Sequence, residues 1–561
     1  MGILGIMLRL REAAQDARFE AAARDPERAQ ATVLRALLSR NAETCFGREH
    51  GFSRIAGPAD YRSAVPMREY EAFRPYVRRI MAGEGSVLTR APVAMFSTTS
   101  GSAGEPKLIP VTEDWKEEQA KLTRLWMLRA MRDHPGCYDR KVLVASSPAV
   151  EGRTERGVPY GSMSGMAARR IPWVVRRNFA IPYAVCLIKD YDARYAATMR
   201  YGLAGSVSLV GTPNPSTLVR LAETASRRAE EIIRGVRDGT LGIADPELAD
   251  HLSSAERARA RDELHASLRR DPERAAELEA VVRAHGSLLP GACWPELRLV
   301  GCWLGGSAGV QAKALAALFG DVPRRDLGLI ASEGRMTVPI EDETAAGCLL
   351  LHRCFYEFID EDRIEDTSPP IRLAHELADG RRYYIVPTGG NGLYRYDLND
   401  VVEVRGFHHR APKVAFVRKG RDMVNITGEK LHVNQIQSAL QEAGAACRVD
   451  VWQFRMIPDI ASSRYDVLVE VREATPASDR RFIEAFDLAL RGLNPEYAQK
   501  RASGRLGRPR LFVMRPGWSE TLCRAEFAGG RRDLQFKWRA LADEWDEGSR
   551  GAVARSVEEL E

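Results

Sequence analysis

A chain of 561 residues, 45% hydrophobic and 28% charged, has room for a large domain plus a smaller one, and its composition excludes a fibrous or disordered protein. The net charge of +6 comes mostly from arginines that alternate with acids, as in Arg227-Arg228-Ala229-Glu230-Glu231, a pattern of solvated helix faces and not of a nucleic-acid groove. Nine cysteines without a CxxC pair point to free thiols in a reducing compartment. The apolar start lacks a basic flank and is cut by Arg9, so the expectation is a cytoplasmic protein with neither signal peptide nor membrane span.

Residues 1–85 read as mainly helical, with Leu34, Leu37 and Leu38 at helical spacing and Asn41 with Gly47 marking the stop. Strands are expected at 94–96 and 108–111, then a helix over 115–132 and short buried strands at 141–145 and 207–210, with Ser216 capping the next helix. Residues 217–286 read as charged helix broken near 239–245. Further strands near 297–300, 327–330, 347–352 and 383–387, with a helix over 311–319 among them, favour an α/β fold with parallel and mixed sheets. Beyond Arg421 the pattern restarts with a helix from Asn434, strands at 449–455 and 465–471, and a helix over 478–493. The expected organisation is a large N-terminal domain (1–417), a hinge (418–422) and a small α+β C-terminal domain (423–561).

The stretch Ser97-Thr98-Thr99-Ser100-Gly101-Ser102-Ala103-Gly104-Glu105-Pro106-Lys107 gathers hydroxyls, glycine N–H groups and one lysine, the donor set of a loop that wraps a polyphosphate. It is not an ordinary P-loop: Pro106 replaces the second glycine, and Leu108 replaces the hydroxyl that would follow the lysine. A solvated turn between two strands would use the same residue types. Ser332 and Glu333 follow a short apolar strand, where ligands collect in open α/β sheets. Glu333 suits Mg²⁺ bridging phosphates, and an N-cap pair opening a helix is the alternative. Asp400 could accept from both hydroxyls of a ribose or belong to an Arg–Asp surface ladder. Gly305-Gly306-Ser307 would let a flat base lie on bare backbone. Lys537, between Phe536 and Trp538, either snorkels over an apolar face or neutralises charge developing on a carboxylate or phosphate. His408-His409 has no cysteine or acid at metal-ligand spacing and reads as a solvated loop.

Taken in order, these motifs resemble the adenylate-forming superfamily, and most closely its Gretchen-Hagen branch, the acyl acid–amido synthetases. The resemblance rests on Asn41-Ala42-Glu43-Thr44-Cys45-Phe46-Gly47, the 98–107 loop, Ala331-Ser332-Glu333, Leu393-Tyr394-Arg395-Tyr396 and Gln535-Phe536-Lys537. Residues 421–430 look like a bacterial-type version of the hinge region, and the likeness covers essentially the whole chain. Asn399 stands where the plant pattern has glycine before Asp400, and Leu329 and Ile330 lie where an aromatic usually faces adenine.

The resemblance implies a large adenylation domain with mixed sheets and a small mobile domain. It implies ATP as a substrate and Mg²⁺ as its companion ion. A small carboxylic acid would attack the α-phosphorus to give an acyl-adenylate and pyrophosphate, and an amine, of amino-acid type, would then displace AMP to form an amide. An acyl-CoA ligase sharing the first half-reaction is the alternative, though no basic cluster is plainly dedicated to the CoA nucleotide. Carried over onto this sequence, Thr99, Ser100, Gly101 and Lys107 would hold the β- and γ-phosphates and Ser332 the α-phosphate. Asp400 would hold the ribose, Gly306 and Ser307 the adenine, and Glu333 the Mg²⁺. Lys537 and Glu333 would be the catalytic pair. No nucleic-acid partner is implied, and the oligomeric state is left open, a monomer included.

Overall fold

The computed structural model describes residues 3–99, 107–171, 173–305, 309, 312–364, 366–420, 423–424, 426, 429, 431–459, 461–472, 476–502, 506–528, 538–542 and 544–557. The chain divides into two compact units, Met1–Phe416 and Val417–Glu561.

The first unit opens with helices α1 (Ile3–Arg24), α2 (Pro26–Asn41), α3 (Cys45–Glu49), α4 (Pro58–Ala64) and α5 (Tyr70–Met81). Local chemistry sets their starts. Asp25 accepts from Arg28 N at 3.2 Å with Pro26 in the first turn, and Thr44 Oγ1 accepts from Gly47 N at 2.9 Å. Strands β1 (Val93–Thr99) and β2 (Lys107–Thr112) form an antiparallel pair in register Thr99↔Lys107, and Thr112 caps α6 (Glu113–Asp133). Then come β3 (Lys141–Val144), β4 (Gly152–Arg153), β5 (Pro159–Gly161), β6 (Val207–Gly211), β7 (Leu299–Gly301) and β8 (Arg324–Arg325). A sheet of order β2-β1-β5-β4 lies in this unit with a parallel sheet of order β3-β6-β7-β8.

The chain continues through β9 (Ile330–Ala331), β10 (Gly334–Arg335), β11 (Thr337–Val338), β12 (Gly347–Leu349), β13 (Phe355–Asp360), β14 (Ile371–Leu373), β15 (Arg382–Thr388), β16 (Asp400–His408) and β17 (Ala411–Lys419). Seven of them make a sheet of order β11-β12-β17-β16-β15-β13-β14. One apolar core joins α2, α5 and this sheet through Leu34, Phe46, Phe73, Phe355 and Tyr394, all under 3% exposed.

Three expectations change in detail. The helix after β6 starts at Pro215, so Ser216 lies inside its first turn and does not cap it. The 217–286 region is four helices, Pro215–Arg227, Ala229–Asp238, Ser254–Ala266 and Pro272–His285, because the non-helical stretch after Gly239, which takes φ 73, runs to the Ser253 capping box. The strand expected at 327–330 is displaced: β8 ends at Arg325 and β9 begins at Ile330, with Gly328 between them at φ 90.

The second unit carries β20 (Val451–Asp459), β21 (Arg464–Val471), β22 (Arg510–Met514) and β23 (Val553–Val557) in that spatial order, after two short paired strands, β18 (Met423–Val424) and β19 (Leu431–His432). Helices Val433–Cys447 and Pro476–Leu493 cover it, and Ile436, Leu440, Met456, Val467 and Phe486 build its own core. Among the described residues no helix is long and apolar enough to cross a membrane, and none of the nine cysteines is in a disulfide.

Candidate functional site

The hydroxyl-rich loop is carried by the β1–β2 hairpin, and two features fix its ends. Tyr70 of α5 brackets the start of β2: Leu108 N donates to its hydroxyl at 2.7 Å, and that hydroxyl faces Leu108 O at 3.1 Å. Lys107 Nζ lies 5.8 Å from the centre of the same ring, a cation–π distance. On β1, Thr98 Oγ1 donates to Glu151 at 3.3 Å, and Ser97 Oγ is buried without a hydrogen-bond partner among the described residues. Ser100 and Gly101 lie outside the described residues, as does the side chain of Thr99.

Ser332 and Glu333 do not open a helix. They form the tip of a two-residue turn between β9 and β10, paired Ala331↔Gly334 and Ile330↔Arg335. Packing dictates that turn. Gly334 takes φ 140, and a Cβ there would come within 2.6 Å of the Trp115 ring of α6, while Arg335 N donates to Gln119 of the same helix at 2.8 Å. The turn brings Ser332 Oγ to 3.5 Å from Thr98 O, at the outer limit of a hydrogen bond, which puts it against the strand that carries the loop.

Glu333 is approached from a third segment. Asn391 Nδ2 donates to its carbonyl at 3.2 Å, and the buried Tyr396 hydroxyl hydrogen-bonds its carboxylate. Burial first, and then the Glu333 charge, push Tyr396 far above the ordinary phenol value, so it stays a neutral donor.

Asp400, 3% exposed at the first position of β16, is not part of a surface ladder: Arg395 instead bonds Glu357 at 2.7 Å and Val65 O at 2.7 Å. Asn399, in the glycine position of the plant pattern, takes φ 55, which asparagine tolerates better than most residues. Arg395 itself sits at φ 46, held by these buried partners.

The Asn41–Gly47 motif makes no part of the site surface. Phe46 stacks on Tyr394 at 4.9 Å, the Tyr394 hydroxyl donates to Leu88 O at 2.7 Å, and Asn41 Oδ1 accepts from Arg90 N at 3.0 Å. This motif is the support beneath Tyr394-Arg395-Tyr396.

One participant escapes the sequence reading. Asp326, 3% exposed at the end of β8, accepts from Leu304 N at 2.7 Å and Gly328 N at 2.5 Å. It ties the glycine-rich segment after β7 to the segment that leads into Ser332-Glu333. Burial is the main reason its carboxyl is pushed up to about 7, against the two amides and Arg335, which lower it. Its only sequence signal is an acid directly after a short strand. Of the adenine-loop residues, Gly306 and Ser307 lie outside the described residues, and Gly305 packs close enough that a Cβ would approach Ala345 to 2.9 Å.

Lys537 also lies outside the described residues, but the chain after it is anchored. Trp538 Nε1 donates to Phe454 O at 2.5 Å, the ring meets Trp518 edge-on at 5.1 Å with Arg455 4.7 Å from its centre, and Met456 N donates to Ala540 O at 2.8 Å.

Comparison with known proteins agrees with this layout over nearly the whole chain. Sequence profiles of the GH3 family N-terminal, central and C-terminal domains match residues 15–324, 347–419 and 434–544. An indole-3-acetic acid-amido synthetase, GH3.8 of Oryza sativa subsp. indica, is 27% identical over 541 residues, covering 91% of this chain and 87% of that protein. A jasmonoyl–L-amino acid synthetase, GH3.5 of Oryza sativa subsp. japonica, is 25% identical over 558 residues, covering 92% and 93%. The solved structure of AtGH3.15 acyl acid amido synthetase in complex with 2,4-DB superimposes with a TM-score of 0.84 at 20% identity, over 98% of this chain and 97% of that one. The three profiles together match most of the chain and the fold likeness runs its whole length, so the chain belongs to the GH3 family.

Proposed function

We propose that this chain is an acyl acid–amido synthetase: it adenylates a small carboxylic acid with ATP, releases pyrophosphate, and passes the acyl group to the amine of an amino acid with loss of AMP. Full-length similarity to amido synthetases supports the reaction class. The observation that carries the site is the β9–β10 turn, which sets Ser332 and Glu333 beside the β1–β2 hairpin.

In this reading Thr99, Ser100, Gly101 and Lys107 hold the β- and γ-phosphates, and Ser332 donates to the α-phosphate. Lys107 rests on the Tyr70 ring, a cation held near its working position by a neutral partner. Asp400 accepts from the ribose hydroxyls, and Gly306 and Ser307 lie against the adenine. Mg²⁺ fits Glu333, because a single carboxylate at a turn tip beside hydroxyls is an oxygen-only donor set that phosphate oxygens and water complete. Bound there, the ion offsets phosphate charge. Lys537, on the second unit (Val417–Glu561), neutralises charge on the attacking carboxylate, and rotation about 418–422 withdraws it for the second half-reaction.

The test is pyrophosphate release over a panel of carboxylic acids, followed by mass spectrometry of the products with mixed amino acids and with CoA. An amide is expected. Exclusive thioester formation would move the chain to the acyl-CoA ligase reading, and no acid-dependent pyrophosphate would sink both.

A further inference from the structure

Glu20 and the pair His408-His409 are 388 and 389 positions apart in sequence and meet in the fold, where α1 crosses the turn between β16 and β17. One Glu20 carboxylate oxygen lies 3.0 Å from His408 Nε2 and the other 2.8 Å from His409 Nε2. The three ligand atoms all fall within 4.8 Å of one another. The turn is fixed by more than these contacts: Arg410 N donates to Ala23 O of α1 at 2.9 Å, and the His408 ring stacks on Phe19 at 5.7 Å, 16° from parallel. His409 takes φ 53, and its ring centre is 4.5 Å from that of His408, so two consecutive imidazoles face the same carboxylate. Glu20 and His408 are largely covered, with side chains 19% and 21% exposed, while His409 at 39% opens the cluster to water.

We propose that Glu20, His408 and His409 form a binding site for a borderline divalent cation, zinc or a neighbouring transition ion, which staples α1 to the β16–β17 turn. Two imidazoles and one carboxylate are the donors such ions select, whereas Mg²⁺ and Ca²⁺ require oxygen. Tetrahedral bonds of about 2.0–2.1 Å set ligand atoms about 3.3 Å apart; the two Glu–His contacts, made to different carboxylate oxygens, lie within a few tenths of an ångström of that, and all three ligand atoms lie within 4.8 Å of one another. Water fills the fourth position on the His409 side. Each Nε2 must be free of its proton to coordinate, so binding releases any proton it carries.

Glu20 is shared among three partners, Arg129, His408 and His409. The opposing charges are Arg129 of α6, which bonds Glu20, and Arg24, at 3.7 Å. Arg129 also bonds Asp16 at 2.7 Å, so it keeps a carboxylate partner when the ion takes a share of Glu20.

The test uses untagged, full-length protein freed of metal with a chelator. Zinc is titrated by calorimetry and Co²⁺ by visible absorption, and the thermal midpoint is read with and without zinc. The expected result is one equivalent of zinc, a raised midpoint, and a Co²⁺ spectrum of a low-coordinate nitrogen-ligated ion. His409→Ala, on the exposed side of the turn, should stay folded without metal and lose affinity by about tenfold or more, and His408→Ala/His409→Ala should lose saturable binding. No zinc binding by the parent protein, an aquo-ion Co²⁺ spectrum, or unchanged affinity in the His409→Ala protein would each overturn the assignment.

Discussion

Glu333 shows how much a single carboxylate depends on its surroundings. Tyr396 donates to it from a buried position, Asn391 holds its carbonyl, and the turn that carries it has no room for a side chain at Gly334. Lys537 is the other residue on which the proposed reaction turns. Lys537→Ala should lower pyrophosphate release by about 10²–10³-fold, the effect of deleting one donor to developing charge, while ATP binding measured by calorimetry stays nearly unchanged. Wild-type release rates would remove Lys537 from the chemistry. Asp326 carries a pH signature. Its folded value of about 7 lies above the ordinary 3.8, so its contribution to stability is fully present below 3.8 and is lost as pH rises through 7. Asp326→Asn should therefore gain stability relative to the parent protein between pH 4 and 7, read as the difference in thermal midpoint; a constant difference across that range would refute the shift.

At the scale of elements, the site depends on two short hairpins meeting at α6. Gly334→Ala should be severe for its size. The added Cβ meets Trp115 at 2.6 Å and the φ of 140 suits glycine alone, which costs about 1–3 kcal/mol and moves the Ser-Glu tip. Denaturant unfolding and the Mg²⁺ dependence of pyrophosphate release should both change; an unaltered Mg²⁺ profile would separate Glu333 from the ion. Legibility in the sequence followed element length. The α6 helix and the strands β6, β15 and β21 were read nearly in place because their apolar patterns are long enough to register. The two-residue strands β9 and β10 carry no periodicity, so Ser332-Glu333 could be read as a strand end or a helix cap but not as a turn tip. The Asn41–Gly47 motif was legible as a signature and not as a support, since its partner Tyr394 comes about 350 residues later.

At the scale of the whole molecule, each of the two units has its own core. Gly420→Pro should slow amide formation more than pyrophosphate release, measured by following both products in one assay; equal loss in both would argue against a rotating hinge there. The sequence by itself determined the fold class, the reaction family and the order of the motifs. The reaction family came from the resemblance that the ordered motifs carry, whereas each single signal is local: hydroxyl and glycine content in a loop, an acid after a strand, a lysine between aromatics. Only the tertiary structure decided which residues share a neighbourhood. It made Arg395 an internal strut, brought Asp326 to two loop amides, and set Glu20 against His408-His409, which the spacing of residues along the chain had read as a solvated loop. The physical reason is that a side chain's chemistry is written in its own residue, whereas its burial and partners are set by segments hundreds of positions away.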